Sequence, residues 1–401
     1  MSDAHRIESA RLFTRGHDTA RRAVRRWIAT ESPPHAVLLA GPPNVGKTTL
    51  AEDLAAGLLC LAEDPLARPC RTCLACRKVA RGIHPDVHHL EPQGPGGQIR
   101  IGAARGLTTE LALLPAEGRR RIAIVEGAQR LNEDAQNALL KTLEEPPAGV
   151  TIVLCADDED PILPTVQSRC VRVNMPALAP RTVAALLGEH GVADPARAAR
   201  IARLASGRPG VALAIAAQPD LELALGRVAR RLLDLTAADR RARLGAAPDL
   251  IADGALLANL EAGASESAGI APADGSALGA GQREREEPPG PRVVGAPAQR
   301  RRAVAGLIAT WRGVARDLAV AGRDGRASVR WVELLDELER TARSVRRGDI
   351  ERFLERIERV GAMIEANANP ELALDVLLLA WPRAAARDGP GSPALGPAAA
   401  P

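Results

Sequence analysis

Hydrophobic positions in the first 176 residues form short continuous runs, separated by longer stretches with helical spacing. The runs Ala36–Ala40 (AVLLA), Val87–Leu90 (VHHL), Ile122–Glu126 (IAIVE), Thr151–Cys155 (TIVLC) and Val171–Val173 (VRV) are each bounded by Gly, Pro or charge, and they predict strands. Strands alternating with helices imply a mostly parallel sheet covered by helices, an α/β module over residues 1–176. From Leu178 to about Ala217 the pattern is wholly helical, rich in Ala, Leu and Arg, and broken at Gly191 and at Gly207-Arg208-Pro209-Gly210. This predicts a small helical domain over 177–218.

Helical spacing resumes near Leu221 and predicts an all-α C-terminal domain over 219–387. Within it, Val332–Leu338 and Phe353–Ile364 place apolar residues three and four apart with Arg and Glu between them, as expected of packed helices with charged outer faces. Residues 262–302 are rich in Gly and Pro with few large apolar side chains, and they read as a flexible insert. The last helix opens on Asn369 as N-cap, with Pro370 at its first position and Glu371 behind, and carries the stripe Leu372, Val376, Leu379. Residues 388–401 degenerate into Gly, Pro, Ser and Ala, a frayed tail.

A chain of 401 residues, 46% of them apolar, is long enough for two or three domains and is not disordered throughout. Its 53 basic residues are balanced by 49 acids, a net charge of +4, which argues against a dedicated polybasic nucleic-acid binder. With two Phe and no Tyr, base stacking has few platforms. The first residues show no secretory h-region, and no run approaches the length of a membrane span. The expectation is a cytosolic protein, where clustered cysteines favour metal over disulfides.

Gly41-Pro42-Pro43-Asn44-Val45-Gly46-Lys47-Thr48, followed by Thr49, fits G-x-x-x-x-G-K-[ST]. An apolar strand leads in and a helix leads out. That order lets backbone N–H groups and the helix N-terminus cradle phosphates while Lys47 reaches the β/γ oxygens and the Thr48 hydroxyl ligates Mg²⁺. The expectation is an ATP/Mg²⁺ site, with Glu126 at the end of a second strand as a further Mg²⁺ ligand. An acidic pair is the usual hydrolytic equipment there, the second member activating water; here Glu126 is followed by Gly127, which has no base to offer. Losing a general base costs on the order of 10²–10⁴ in rate, so the residues suggest binding without efficient turnover.

Cys60, Cys70, Cys73 and Cys76 have the spacing C-x9-C-x2-C-x2-C, with Cys60 ending the helix that follows the phosphate loop. Two tight turns plus a helix end can close a tetrahedral four-thiolate shell suited to structural Zn²⁺, with free thiols or a redox C-x-x-C as the competing readings. Cys155 and Cys170 stand apart and read as buried thiols.

These motifs, together with Asn137-Ala-Leu-Leu-Lys141-Thr-Leu-Glu-Glu-Pro-Pro147, Ser168-Arg169-Cys170 and His84-Pro85-Asp86, resemble the clamp-loader branch of the AAA+ ATPases. In bacteria that combination occurs in the gamma/tau motor subunits and in the delta-prime subunit of DNA polymerase III. Glu126-Gly127 stands where the motors keep Asp-Glu, Gly207-Arg208-Pro209-Gly210 where they carry a lid arginine, and Ala156-Asp157 where they have Thr. All three departures lean toward the delta-prime pattern, while the intact phosphate loop leans the other way, and a gamma/tau-type motor is the alternative.

The resemblance implies an AAA+ module with a zinc insert at 60–76, a helical lid and a C-terminal collar. It further implies a five-membered ring with delta and gamma/tau subunits that handles the sliding clamp and primer-template DNA in the cytoplasmic, nucleoid-associated replisome. It gives Arg169 the role of an arginine finger reaching a neighbour's ATP. The basic run Arg21, Arg22, Arg25, Arg26 either faces DNA phosphates or is a solvated helix face. Trp311, Trp331 and Trp381 are candidate core or interface anchors. Lys47, Lys78 and Lys141 are the only lysines, and a compact ammonium has an evident use only at Lys47.

Overall fold

The structure is a computed structural model that describes residues 11–92, 97–258, 260, 297–323, 326–366 and 368–384. Its residues divide into two compact units, one drawn from 1–223 and 256–298, the other from 224–255 and 299–401. The boundary falls just beyond the expected division at 218/219. The expected tail at 388–401 and most of the expected insert at 262–302 lie outside the described residues.

In the first unit the elements run α1 (Asp18–Ala29), β1 (Ala36–Ala40), α2 (Lys47–Leu59), α3 (Leu74–Ala80), β2 (Val87–Leu90), α4 (Ile101–Leu111), β3 (Arg121–Val125), α5 (Glu133–Glu144), β4 (Val150–Ala156), α6 (Pro164–Gln167) and β5 (Val171–Asn174). The five strands are parallel in the order β2-β3-β4-β1-β5. β1, β3 and β4 are buried along their whole length, as strands covered on both faces must be, which is why they read as unbroken apolar runs. Alternate residues serve two cores. Val37, Leu39, Ile122, Ile124 and Val153 pack with Val24 and Ile28 of α1 and Leu50 and Leu54 of α2. Leu38, Val125, Ile152 and Leu154 pack with Leu107 and Leu111 of α4 and Leu139 and Leu143 of α5.

Parallel register pairs Ala36–Ala40 of β1 with Ile152–Ala156 of β4, and Arg121–Val125 of β3 with Val150–Leu154. Glu126, Asp157 and the phosphate loop therefore all emerge at the carboxyl ends of three adjacent strands, the usual place for a ligand on an open parallel sheet. Glu126 lies one residue past β3, where the hydropathy run had put it inside the strand.

Helices α7 (Pro180–Glu189), α8 (Pro195–Leu204) and α9 (Pro209–Ala217) follow, each with Pro at its first helical position. Leu178 N–H donates to Gly207 O (2.8 Å), and Gly210 N–H at the start of α9 donates to Asn44 O of the phosphate loop (3.1 Å). The lid helix thus touches the loop directly.

The second unit holds α11 (Arg240–Gly245), α14 (Leu335–Ser344), α15 (Arg347–Glu365) and α16 (Pro370–Ala380); α10 (Pro219–Leu235), α12 (Ala247–Leu257) and α13 (Pro297–Ala321) each straddle the division between the units. Helix α13 begins inside the stretch expected to be insert. Pro297 starts it, and the Arg-Arg-Arg-Ala-Val-Ala-Gly-Leu-Ile pattern after it already has helical spacing. Trp311 and Trp381 are buried against Phe353, with ring centroids 4.8–6.1 Å apart, whereas Trp331 is only half-buried. The stripe Leu372, Val376, Leu379 of α16 is exposed, and Ala373, Leu374, Leu377 and Leu378 are buried instead. That helix is apolar nearly all round, so spacing alone does not say which face turns inward. Asn369 caps it as expected, accepting from Glu371 N–H at 2.9 Å. No helix among the described residues is long and apolar enough to cross a membrane.

Candidate nucleotide and metal centres

The phosphate loop runs from the end of β1 to the first turn of α2. Asn44 (φ 63°) and Gly46 (φ 103°) adopt left-handed conformations, the alternation that turns successive amides toward one concavity. Gly41 is required by crowding, because a Cβ there would collide with the Met175 carbonyl oxygen. His17 donates from Nε2 to Val45 O (3.0 Å) and so tethers the loop to the start of α1, and burial lowers its pKa.

Lys47 is buried at the mouth of this loop. Its ammonium donates to Gly41 O (2.8 Å), Pro42 O (2.8 Å) and Asp157 Oδ1 (2.7 Å). Asp157 is itself fixed by Gln129, which donates to its Oδ2 and accepts from its backbone N–H, both at 3.1 Å. Thr48 Oγ1 donates to Glu126 Oε2 (3.1 Å), so the two candidate Mg²⁺ ligands are brought together. Gly127 sits at φ 60° with Pro92 Cγ 3.0 Å from where a Cβ would be, so the position after Glu126 resists any side chain.

More charge converges here than the motifs announce. His89 Nδ1 lies 3.8 Å from Glu126 Oε1, and that carboxylate raises its pKa. Burial, reinforced by Glu126 and Asp53 and opposed by His89, pushes Glu52 up to about 7. His89, Glu91 and Glu126 bring donor atoms within 4.8 Å of one another and form a second group able to hold a metal ion. His89 of β2 was the sequence signal for it; His88 instead faces Glu110 and Arg121. On the other side a cavity of about 350 Å³ opens beside Gly41, lined by Asp157, Asp158, Glu159, Asp160 and Arg172.

At the far end of α2, Cys60, Cys70, Cys73 and Cys76 bring their four sulfurs within 4.8 Å of one another, with Cys60 and Cys73 Sγ 4.0 Å apart. Zn–S bonds of 2.3 Å in a tetrahedron need sulfurs about 3.8 Å apart, so the cluster fits a four-thiolate metal ion. Backbone N–H groups of Cys70, Cys73 and Cys76 each donate to the preceding cysteine's sulfur at 3.4 Å, bonds that favour thiolates. Hydrogen bonding with Cys76 holds the Cys60 thiol down at about 4 and drives Cys76 upward. Cys155 is buried, and burial pushes half-buried Cys170 up to about 11.

Asp53, in the middle of α2, was missed in the sequence. It is fully buried, accepts from Phe13 N–H, Thr14 N–H and Thr14 Oγ1 (2.9, 2.9 and 2.7 Å), and pairs with Arg71 of the cysteine loop, whose guanidinium stacks on Phe13. His84-Pro85-Asp86 is structural: Asp86 accepts from the amides of Ala116, Glu117 and Gly118.

Arg169 lies just past α6 and is partly exposed. It donates to Glu144 Oε1 (2.5 Å) and Thr165 O (2.8 Å), so Glu144 at the end of α5 serves to orient it. In the basic run of α1, Arg22 and Arg26 are exposed.

Residues 16–179 match the family model described as DNA polymerase III, delta subunit. DNA polymerase III subunit delta' of Pseudomonas aeruginosa is 40% identical over 142 residues, 35% of this chain and 43% of that protein. The Haemophilus influenzae subunit delta' is 36% identical over 136 residues, 34% of this chain and 41% of that protein. Subunit tau of Salmonella typhimurium is 35% identical over 144 residues, 36% of this chain and 22% of that protein. The matches span less than half the length of these relatives. They make the first part of the chain similar to the delta, delta' and tau subunits of DNA polymerase III.

Proposed function

We propose that the chain is the delta-prime subunit of a DNA polymerase III clamp loader: a stator that binds but poorly hydrolyses ATP, and that completes a neighbour's site in trans. One observation carries this reading. An intact phosphate loop, with Lys47 and Thr48 in place, faces Glu126 followed by a glycine that has no base to offer and whose left-handed backbone and close Pro92 disfavour any side chain. Arg169, presented at the surface by Glu144, is then the arginine finger, and the four cysteines hold a structural Zn²⁺ that does no chemistry. The C-terminal helices form the collar of a ring with delta and gamma/tau subunits. That ring opens the sliding clamp on primer-template DNA in the cytoplasmic replisome. Matches to tau keep a motor subunit as the second reading.

The test pairs two measurements. Arg169→Ala in the reassembled loader leaves assembly intact and lowers DNA-stimulated ATP turnover at the completed site by about 10³-fold, the scale of an arginine finger. Full turnover in that variant rejects the trans role. Single-turnover hydrolysis by the purified chain, with Lys47→Ala as control, separates the two readings: a Lys47-dependent rate equal to that of the motor subunit makes this chain a motor.

A further inference from the structure

The ammonium of Lys47 has three N–H donors, and all three are engaged: two on the carbonyls of its own loop, one on Asp157. The carbonyl bonds are neutral partners that water or phosphate oxygens replace. The Asp157 bond is charge-assisted, 2.7 Å long, and made to a Lys47 side chain that is 7% exposed. Asp157 is not a passing surface acid. Gln129 grips its second carboxylate oxygen and its backbone amide, so the carboxylate stays beside the loop when Lys47 moves.

This arrangement bears unequally on the phosphates of a nucleotide. In a phosphate loop the backbone N–H groups cradle the α and β phosphates, whereas the lysine serves the β and γ. Here the backbone cradle is free of internal competition from side chains described above, and the lysine is not. A third phosphate would have to take Lys47 away from Asp157 and then sit beside that fixed carboxylate. A diphosphate meets the cradle with one phosphate fewer to place against Asp157.

We propose that Asp157, positioned by Gln129, is a specificity-determining residue that makes this phosphate loop prefer a nucleoside diphosphate to the corresponding triphosphate. The proposal rests on the reading that the loop binds nucleotide. It gives that reading a direction: the chain holds a diphosphate as its resting ligand, and a triphosphate gains entry only as Lys47 is released from Asp157.

The experiment is equilibrium titration of the full chain with Mg²⁺-ADP and with Mg²⁺ and a non-hydrolysable ATP analogue, by calorimetry, for wild type, Asp157→Asn and Asp157→Glu. Wild type should favour the diphosphate. Asp157→Asn should tighten the triphosphate analogue by about tenfold or more and the diphosphate by less than about threefold, in keeping with removal of one nearby like charge. Asp157→Glu, which keeps the charge, should keep the preference. If Asp157→Asn binds both ligands with the wild-type ratio, the proposal is wrong while nucleotide binding stands. Absence of binding to wild type and variants alike overturns both. Should Asp157→Asn fail to fold, Gln129→Ala leaves the acid but frees it, and the ratio must shift in the same direction by a smaller factor; an unchanged ratio there also rejects the role.

Discussion

Helix α2 carries a centre at each end, and the two are built on opposite plans. At its N-terminus Lys47 and Thr48 are engaged with Asp157, Glu126 and two backbone carbonyls, partners that a ligand must displace. At its C-terminus Cys60 joins three cysteines whose sulfurs face one another and collect N–H donors from their own turns. A group that occupies the cysteine end completes it and removes the conflict among four thiols. A group that occupies the loop end has to break contacts first. The first plan suits a permanent structural ion, the second an exchangeable ligand.

Breaking the closed end should therefore produce the largest effect on stability. Cys73→Ser removes one of four ligands, and loss of a structural metal is among the few single changes that cost about 4–5 kcal/mol or more. The expected result is loss of one Zn²⁺ per chain by metal analysis and a lowered urea midpoint for the first unit. Unchanged metal content would show that the cluster is not a four-thiolate site.

A smaller effect should come from the loop that closes over α3. Burial opposes ionisation of Asp86, but the amides of Ala116, Gly118 and Glu117 outweigh it and hold the carboxyl below the usual range. A depressed folded pKa means the stabilisation is complete above the unfolded value near about 4 and is lost as pH falls through the lower folded one. Asp86→Asn should cost about 2–3 kcal/mol at neutral pH, the scale of hydrogen bonds to a charged group. Urea unfolding of both proteins should converge as pH drops below about 4; a constant gap down to acid pH would show that Asp86 acts by shape, not by charge.

The two ends of α2 also differ in how far they could be read from the residues. The cysteine spacing and the phosphate loop are local patterns, and both are assembled where their spacing placed them. β1, β3 and β4 were legible for a similar reason, since burial on both faces leaves an unbroken apolar run. What escaped was long-range. Asp157 meets Lys47 because β1 and β4 are neighbours in register, with Ala40 opposite Ala156, and no spacing along the chain encodes that. Asp53 and Arg71 meet because the cysteine loop folds back on α2. The exposed stripe of α16 was ambiguous because both faces of that helix are apolar.

Lys78 provides the finest test, since it is the lysine beside the cysteine end as Lys47 is the lysine of the loop. It stands two residues past Cys76 on α3, and its ammonium reaches both oxygens of Glu117 at 2.6 Å. That pair spans from the cysteine helix to the loop held by Asp86, so it braces the cysteine module without approaching the sulfurs. Both partners are partly exposed, at 25% and 46%, and water screens such pairs to about 0–1 kcal/mol. Lys78→Ala should therefore lower stability by less than about 1 kcal/mol, leave the zinc content whole, and lose even that effect at high salt. Lys47→Ala should do the reverse, removing nucleotide binding with the metal untouched. If Lys78→Ala instead released metal, the cysteine end would depend on an outside charge much as the loop end depends on Asp157, and the contrast between a self-contained centre and an engaged one would fail.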